Sequence, residues 1–451
     1  MRLRTATVVS VTMSLVILYL GLKAENPNTA APVLVYTSTP HYDSLAWLHG
    51  AERFPSGAKL MLGSGASSRE LIAGFFATAD ANVSFDGTKI LFAGKRSSTD
   101  RWQIWEVAIA SAESKQLTTC AGDCVRPFYL PEGRVAYAHK VDGRFQIEAT
   151  PAGGGEPVRL TAIPGNALPT DVLRDGRILF EAGFPLGSDS SAELYTVYPD
   201  GSGVESYRCD HGTNRHSGKQ VVSGDIVFVE DAGMGRFTSA LAHEVNVKAP
   251  AGEYAGDVIE AGSEKRIVSW RERSTDFFSL QEWNVGKNQF EQLVGQEQFD
   301  LVQPQVVAPR PTPKRFPSAL HDWNGANLLC LNAYTSKLKI AAGSVESVKL
   351  YTFAEGRRML LGPAHVEADG SFFLHVPSDQ PLQIELLDKS GNTVQHEHGW
   401  FWMRRGEQRY CVGCHAGPER APENAVPQVL VKSTAPAEMT GNTVSATKGG
   451  Y

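Results

Sequence analysis

Residues 83–118, VSFDGTKILFAGKRSSTDRWQIWEVAIASAESKQLT, contain a tight turn at Asp86-Gly87, two short apolar strands and a closing Gln-Leu-Thr. Residues 129–161, YLPEGRVAYAHKVDGRFQIEATPAGGGEPVRLT, repeat this order, with the turn at Glu132-Gly133 and a closing Arg-Leu-Thr. A third copy turns at Asp175-Gly176, so the three turn glycines lie 46 and 43 residues apart. A period of this length, with about four short strands per unit, is typical of β-propeller blades.

Weaker copies of the unit continue to about residue 300. A single blade cannot bury both faces of its sheet, whereas a ring of blades buries them and protects their edges. We therefore predict an all-β fold that begins with a β-propeller of about six blades over residues 33–302. Five prolines make 303–317 a stiff linker. Alternating apolar residues then predict a small β-sandwich over 318–430, in which a loop over 411–415 follows the last strand, and a disordered tail over 431–451.

The first 24 residues are typical of a targeting segment. Arg2 and Arg4 precede an apolar run from Ala6 to Leu22, as in a cleaved signal peptide or an uncleaved N-terminal anchor. Both alternatives predict a periplasmic or otherwise extracytoplasmic protein that contacts a membrane only through such an anchor. The 43 basic and 49 acidic residues give a net charge of -6 without a basic block, so nucleic acid is not an expected partner.

The motif Cys411-Val412-Gly413-Cys414-His415 carries the most specific chemistry of the chain. In an exported protein, C-x-x-C-H is the pattern for covalent attachment of c-type haem, because two thiols add to the two vinyl groups of the porphyrin. His415 is the expected proximal ligand of the iron. We therefore expect one covalent haem c. A local disulfide and a zinc site are alternatives, although the chain has neither a thioredoxin-like pattern nor a second C-x-x-C.

Several side chains before the motif have two interpretations. Met403, His398 and His396 are candidate distal ligands, and the alternative is an open or water-bound iron with both histidines in structural roles. Trp400 and Trp402 either wall the haem or belong to the sandwich core. Three arginines either pair with haem propionates or form a solvated basic turn: Arg404, Arg405 and Arg409.

The remaining cysteines lie outside the motif. Cys120 and Cys124 are predicted to form a loop disulfide, with a metal site as the alternative. Cys209 has His211 and His216 nearby, but their spacing is poor for a metal site.

Residues 367–427 resemble the haem-bearing region of the hydrazine synthase alpha-subunit-like family, through Asp369-Gly370-Ser371-Phe372, Trp400, the C-x-x-C-H and Ala421-Pro422. The repeats over 83–161 are similar to Tol-type, WD40-like propeller repeats. The resemblance implies a propeller plus a c-type haem domain, anchored here by Cys411 and Cys414. In that family a tyrosine four residues beyond the motif histidine is thought to ligate the iron. Glu419 stands at that position here, which favours His415 as the ligand.

Three functions follow from this sequence. The first is an exported c-type cytochrome-like protein that transfers electrons, or the redox subunit of a larger complex, with a redox partner protein or complex subunits. The second is a haem oxidoreductase that acts on a small nitrogen or oxygen species. The third is a propeller that binds other proteins and carries a structural haem. Haem supplies the redox chemistry in the first two and is structural in the third, so the sequence leaves open whether the protein is an enzyme and which residues are catalytic.

Overall fold

A computed structural model describes residues 32–439, except 65–66, 184–190, 209–212, 232, 415–420 and 422. The targeting segment predicted over residues 1–24 lies outside the described residues. The described chain is almost entirely β-structure, with a 3₁₀ turn at Ala46–His49 and one short helix, α1 (Gln428–Lys432). Within these described ranges, no helix is long and apolar enough to cross a membrane.

Six antiparallel sheets form the blades of the predicted propeller, which confirms the predicted fold class. Blade 1 contains β1 (Leu34–Thr39), β2 (Lys59–Gly63) and β3 (Arg69–Glu70). Blade 2 contains β4 (Ala77–Val83), β5 (Lys89–Lys95), β6 (Gln103–Ala108) and β7 (Ser114–Gln116). Blade 3 contains β8 (Cys124–Tyr129), β9 (Arg134–Val141), β10 (Arg144–Pro151) and β11 (Val158–Arg159). Blade 4 contains β12 (Asn166–Val172), β13 (Ile178–Gly183), β14 (Ala192–Val197) and β15 (Glu205–Ser206). Blade 5 contains β16 (Arg215–Gln220), β17 (Ile226–Glu230), β18 (Gly233–Phe237) and β19 (Val245–Asn246). Blade 6 contains β20 (Glu253–Tyr254), β21 (Ile259–Glu260), β22 (Lys265–Arg271), β23 (Ser279–Asn284) and β24 (Gln289–Val294).

A strand from beyond blade 6 closes the ring. β25 (Asp300–Val306) pairs antiparallel with β1, so the innermost strand of blade 1 comes from the opposite end of the propeller. Residues 303–306 were predicted to be linker, and the structure corrects this assignment because they complete blade 1. Pro304 is accommodated in β25 because the ladder has a bulge there, where Pro is tolerated.

Four of the innermost strands have a bulge at which a non-glycine residue adopts a left-handed conformation. Asp80 in β4, Arg126 in β8, Ser217 in β16 and Gln303 in β25 have φ angles between 51° and 59°. Asp80 accepts hydrogen bonds from Arg53 at 2.6 and 2.7 Å, from the Gln303 amide at 2.6 Å and from the Arg126 backbone at 3.0 Å. One buried carboxylate therefore ties the closing strand to blades 2 and 3.

The proline-rich segment then runs along the turns of the blades. The Arg310 N–H donates to the Phe85 carbonyl, and the Lys314 N–H donates to the Arg174 carbonyl. Two of the repeat's turn glycines meet this segment, because a Cβ at Gly87 would overlap Ala308 and one at Gly176 would overlap the Lys314 carbonyl. These two turns therefore require glycine for packing as well as for their positive φ.

The second domain is a sandwich of two four-stranded sheets. Its strands are β26 (Ala326–Cys330), β27 (Ser347–Ala354), β28 (Arg357–His365), β29 (Phe372–Val376), β30 (Leu382–Leu387), β31 (Thr393–His396), β32 (Gln408–Cys411) and β33 (Ala437–Glu438). One sheet has the order β32-β26-β29-β33 and the other has the order β28-β27-β30-β31. Residues 431–439 were predicted to begin a disordered tail, but β33 pairs with β29 and Met439 is fully buried in the sandwich core.

Two tryptophans of the sandwich pack into the propeller. Trp402 is fully buried among apolar side chains of blades 3 and 4, where its Nε1 donates to the Gly201 carbonyl at 2.9 Å. Trp400 belongs to the same cluster. The Gly203 N–H also donates to Glu407 at 3.2 Å, so apolar and polar contacts both join the two domains.

Candidate functional site

The C-x-x-C pair begins at the end of β32. This strand pairs in parallel with β26, in a register that sets Cys411 beside Cys330. Gly413 lies against the loop that follows β26, and a Cβ there would overlap the Thr335 carbonyl and approach the Asn332 carbonyl to 2.7 Å. The turn between the two cysteines therefore packs directly on backbone, which only glycine allows.

Both motif cysteines line a cavity of about 250 Å³ between the sandwich and blade 4. Leu328, Ile384 and Leu386 of the sandwich form an apolar wall. The propeller side is formed by β15 and its neighbourhood, with Tyr195 and Val204. Polar and aromatic side chains also contribute to the lining, among them Glu205, Ser206, Arg208, Gln395, His396, Glu397, Trp400, Phe401 and Arg409.

A third thiol stands in the same cavity. Cys330 lines the cavity and is only 2% exposed. A hydrogen bond with Cys414 raises the pKa of the Cys330 thiol well above its usual value, and burial adds to the rise. Sequence inspection missed this neighbour because Cys330 precedes the motif by 81 residues and only the parallel pairing of β26 with β32 joins them.

Burial raises the pKa of Cys411 to about 11. The nearby Cys414 and Glu397 add to the rise, and the positive charge of Arg409 opposes it. The Cys411 side chain is therefore a neutral thiol at neutral pH.

The three candidate distal ligands occupy different environments. His396 lines the cavity and is exposed, and its ring lies 4.2 Å from the ring of His398, which is also exposed. Met403 is fully buried in the sandwich core and does not line the cavity. Of the two tryptophans, Trp400 lines the cavity as well as packing on the propeller, whereas Trp402 only packs on the propeller.

The three arginines before the motif also differ. Arg409 lines the cavity, where it pairs with Glu407 at 2.6 Å. Arg404 pairs with Asp379 at 2.7 Å, and Arg405 pairs with an exposed aspartate, Asp322, at 2.9 Å; neither lines the cavity. Arg208 of the propeller does line it, and sequence inspection missed this residue because it lies 201 positions before Arg409.

The other predicted sites lie elsewhere. Cys120 and Cys124 form a disulfide in the loop that leads into blade 3. His216 is buried in β16, where burial lowers its pKa and its Nδ1 lies 3.0 Å from the Ser217 hydroxyl. His415, Cys209 and His211 lie outside the described residues.

Residues 331–416 match the family model described as the hydrazine synthase alpha subunit middle domain. Over this segment the chain is similar to the hydrazine synthase alpha subunit. The matched segment includes β27 to β32 and the whole C-x-x-C-H motif, and we call it the alpha-like domain.

Comparisons over longer parts of the chain find one curated relative and two solved structures. Hydrazine synthase subunit alpha of Kuenenia stuttgartiensis is 23% identical in an alignment of length 534 that covers 85% of this chain and 64% of that protein. The chain thus spans less than two thirds of that relative. The structure of Kuenenia stuttgartiensis hydrazine synthase matches the fold with a TM-score of 0.76 at 17% identity, over 89% of this chain and 72% of that one. TolB of Acinetobacter baumannii gives a TM-score of 0.43 at 13% identity, over 63% of this chain and 67% of that one.

Proposed function

We propose that the chain is an exported c-type haem protein that transfers electrons, with one haem attached through Cys411 and Cys414. The observation that carries the proposal is that both cysteines open into one apolar cavity between the propeller and the alpha-like domain. Soluble haem proteins bury the porphyrin in apolar surroundings, because burial of the haem and the access of solvent to it control the reduction potential of the iron.

The lining fits a haem in three respects. Both cysteines and several aliphatic side chains line the cavity, and the cationic Arg409 and Arg208 stand on the same lining, where their charge suits the two propionates. A porphyrin is larger than the cavity, so a bound ring would be partly exposed. When bound, haem supplies one-electron chemistry at its iron. The side chains would anchor it, neutralise its propionates and exclude water from one face, and His415 is the proposed proximal ligand.

We propose that the protein lies outside the cytoplasm, because the Cys120–Cys124 disulfide is typical of oxidising compartments. A single haem cannot carry electrons over a long distance, so it needs a redox partner at its exposed edge. The relative in Kuenenia stuttgartiensis is named as a subunit of hydrazine synthase. We accordingly propose that this chain is the redox subunit of a multi-subunit complex.

A second candidate is a haem enzyme that acts on a small nitrogen or oxygen species. Its support is the position of Met403, which is buried in the sandwich core rather than at the cavity. Without this ligand, the sixth coordination position would depend on His396 or on solvent. An open position would admit a small molecule to the iron.

Absorption spectra with and without carbon monoxide distinguish the two candidates. The full chain should be produced in a host that attaches c-type haem and examined in its oxidised and reduced forms. Electron transfer predicts a six-coordinate spectrum that carbon monoxide does not change. Ready binding of the gas would instead support the enzyme. A chain that acquires no haem in this host would contradict both.

The His415→Ala variant tests the proposed ligation. Loss of the proximal imidazole should shift the absorption bands while both thioether bonds persist. His365, whose exposed side chain lies at the far edge of the sandwich, provides the matched control His365→Ala. An unchanged spectrum in His415→Ala would contradict the proximal role of His415.

A further inference from the structure

A histidine stands beside the loop disulfide of blade 3. The ligand atoms of Cys120, Cys124 and His139 all lie within 4.8 Å of one another. Cys124 and His139 are cross-strand partners on β8 and β9. Cys124 is fully buried and Cys120 is half-buried, while the His139 side chain is 17% exposed. The group is therefore sheltered and yet reachable from solvent.

The loop is held in place by contacts that do not involve the sulfur atoms. The Gln103 side chain accepts a hydrogen bond from the Cys120 N–H at 2.8 Å and donates one to the Cys120 carbonyl at 3.0 Å. The Asp123 carboxylate accepts from the Trp102 N–H at 3.0 Å. Gly122 packs so closely on the Lys140 carbonyl that a Cβ would overlap it. Reduction of the disulfide should therefore leave both thiols beside His139.

A carboxylate lies beside the histidine. Nδ1 of His139 lies 3.0 Å from Oε2 of Glu148 without a hydrogen bond between them, and the Glu148 side chain is 12% exposed. The Tyr137 hydroxyl donates to the same oxygen at 3.5 Å. Histidines that ligate metals usually have such a carboxylate behind them, because it fixes the ring and raises the basicity of the nitrogen.

We propose that the reduced form of this loop binds Zn²⁺ through Cys120, Cys124 and His139. Two cysteines and one histidine, with a fourth position left to water, form an established type of open zinc site. Tetrahedral Zn–S and Zn–N bonds place ligand atoms about 3.3–3.8 Å apart, which is within the span of this group. The disulfide and the zinc ion are thus alternative occupants of one site, selected by redox state.

The chemistry of the exchange balances with a dithiol reductant. The reductant gives two electrons and two protons to the disulfide and becomes a disulfide itself, and the two cysteines become thiols. Zn²⁺ then binds both sulfurs as thiolates, and the two protons pass to solvent. A neutral imidazole of His139 completes the three protein ligands.

Metal titration of the full chain tests the proposal. Zinc bound per chain should be measured by competition with a chromophoric chelator, before and after reduction by a phosphine that is then removed. The reduced chain should bind one more Zn²⁺ than the oxidised chain. Co²⁺ in the same site should give the intense near-ultraviolet bands of thiolate ligation. Cys120→Ser and His139→Ala should remove this ion, and Glu148→Gln should weaken its binding by about tenfold or more.

Thiols of the haem cavity require a separate control. Cys411→Ser removes one of these thiols. After reduction, this variant should still bind the additional Zn²⁺. The oxidised and reduced wild-type chains share one sequence, so their comparison stands even if a variant misfolds. Equal zinc binding by the reduced wild type and Cys120→Ser, or a Co²⁺ spectrum without thiolate bands, would overturn the proposal. The haem proposal is independent of either result.

Discussion

At the scale of single residues, two thiols of the cavity hold their protons more tightly than an ordinary cysteine does. Cys330 and Cys411 are neighbours across two parallel strands. A hydrogen bond with Cys414, together with burial, raises the pKa of Cys330, and burial raises the pKa of Cys411. The negative charge of a thiolate is costly in apolar surroundings, whereas a neutral thiol is tolerated. Cys330 and Cys411 therefore stay protonated to a higher pH than an ordinary cysteine does.

Alkylation of Cys411 checks this property. Its pKa of about 11 leaves roughly one percent thiolate at pH 9, compared with about half for a thiol of ordinary pKa. We expect iodoacetamide to modify Cys411 of the haem-free folded chain at least about tenfold more slowly than in the urea-unfolded chain, as followed by peptide mass spectrometry. Equal rates in the two states would show that the thiol is neither buried nor perturbed.

At the scale of elements, packing of the motif turn on the loop after β26 determines where the cysteines stand. Gly413 contacts the Thr335 carbonyl so closely that no side chain fits between them. The turn is held by tertiary contact, so a local preference for turns is not sufficient to form it.

Replacement of this glycine should disturb both stability and the motif. Gly413→Ala is expected to cost roughly 1–3 kcal/mol, as overpacking usually does, and to reduce the fraction of chains that carry haem. The matched control is Gly153→Ala, because a Cβ at Gly153 meets nothing within 4 Å. Urea unfolding and the ratio of haem to protein absorbance measure the two effects. Identical results for the two variants would contradict the packing argument.

Elements defined by local patterns could be predicted, whereas those formed by distant pairing could not. The spacing of Gly87, Gly133 and Gly176 predicted blades because each blade is built from consecutive strands. No local pattern predicts that β25 pairs with β1, and Pro304 indicated a linker rather than a strand. For the same reason Cys411 and Cys414 could be identified from their spacing, but Cys330 and Arg208 could not.

At the scale of the whole molecule, the ring depends on buried charge. Burial disfavours the charged form of Asp80, but Arg53 and Arg126 outweigh this and lower the pKa of the carboxyl to about 2. Because the pKa of Asp80 is lower in the folded state, its carboxylate stabilises the ring at pH values above 3.8, the ordinary pKa of the group. This contribution is lost as the pH falls from about 4 towards 2.

Asp80→Asn should therefore destabilise the propeller at neutral pH. Loss of one charge from a buried pair costs roughly 3–5 kcal/mol, because Arg53 is left without its counter-ion. The stability of the variant should also change less than that of the wild type between pH 4 and pH 2. Urea unfolding across this range measures both effects. The exposed Asp142 provides the control Asp142→Asn, and a variant of Asp80 as stable as this control would contradict the role of the network.

The central claim is that a porphyrin is joined covalently to Cys411 and Cys414 in the cavity between the two domains. Intact mass under denaturing conditions tests it most directly, after production of the full chain in a bacterium that matures c-type cytochromes. We expect the polypeptide mass plus one haem, and a chain without covalent haem when both cysteines are replaced by serine. A wild-type mass equal to that of the bare polypeptide would contradict the account.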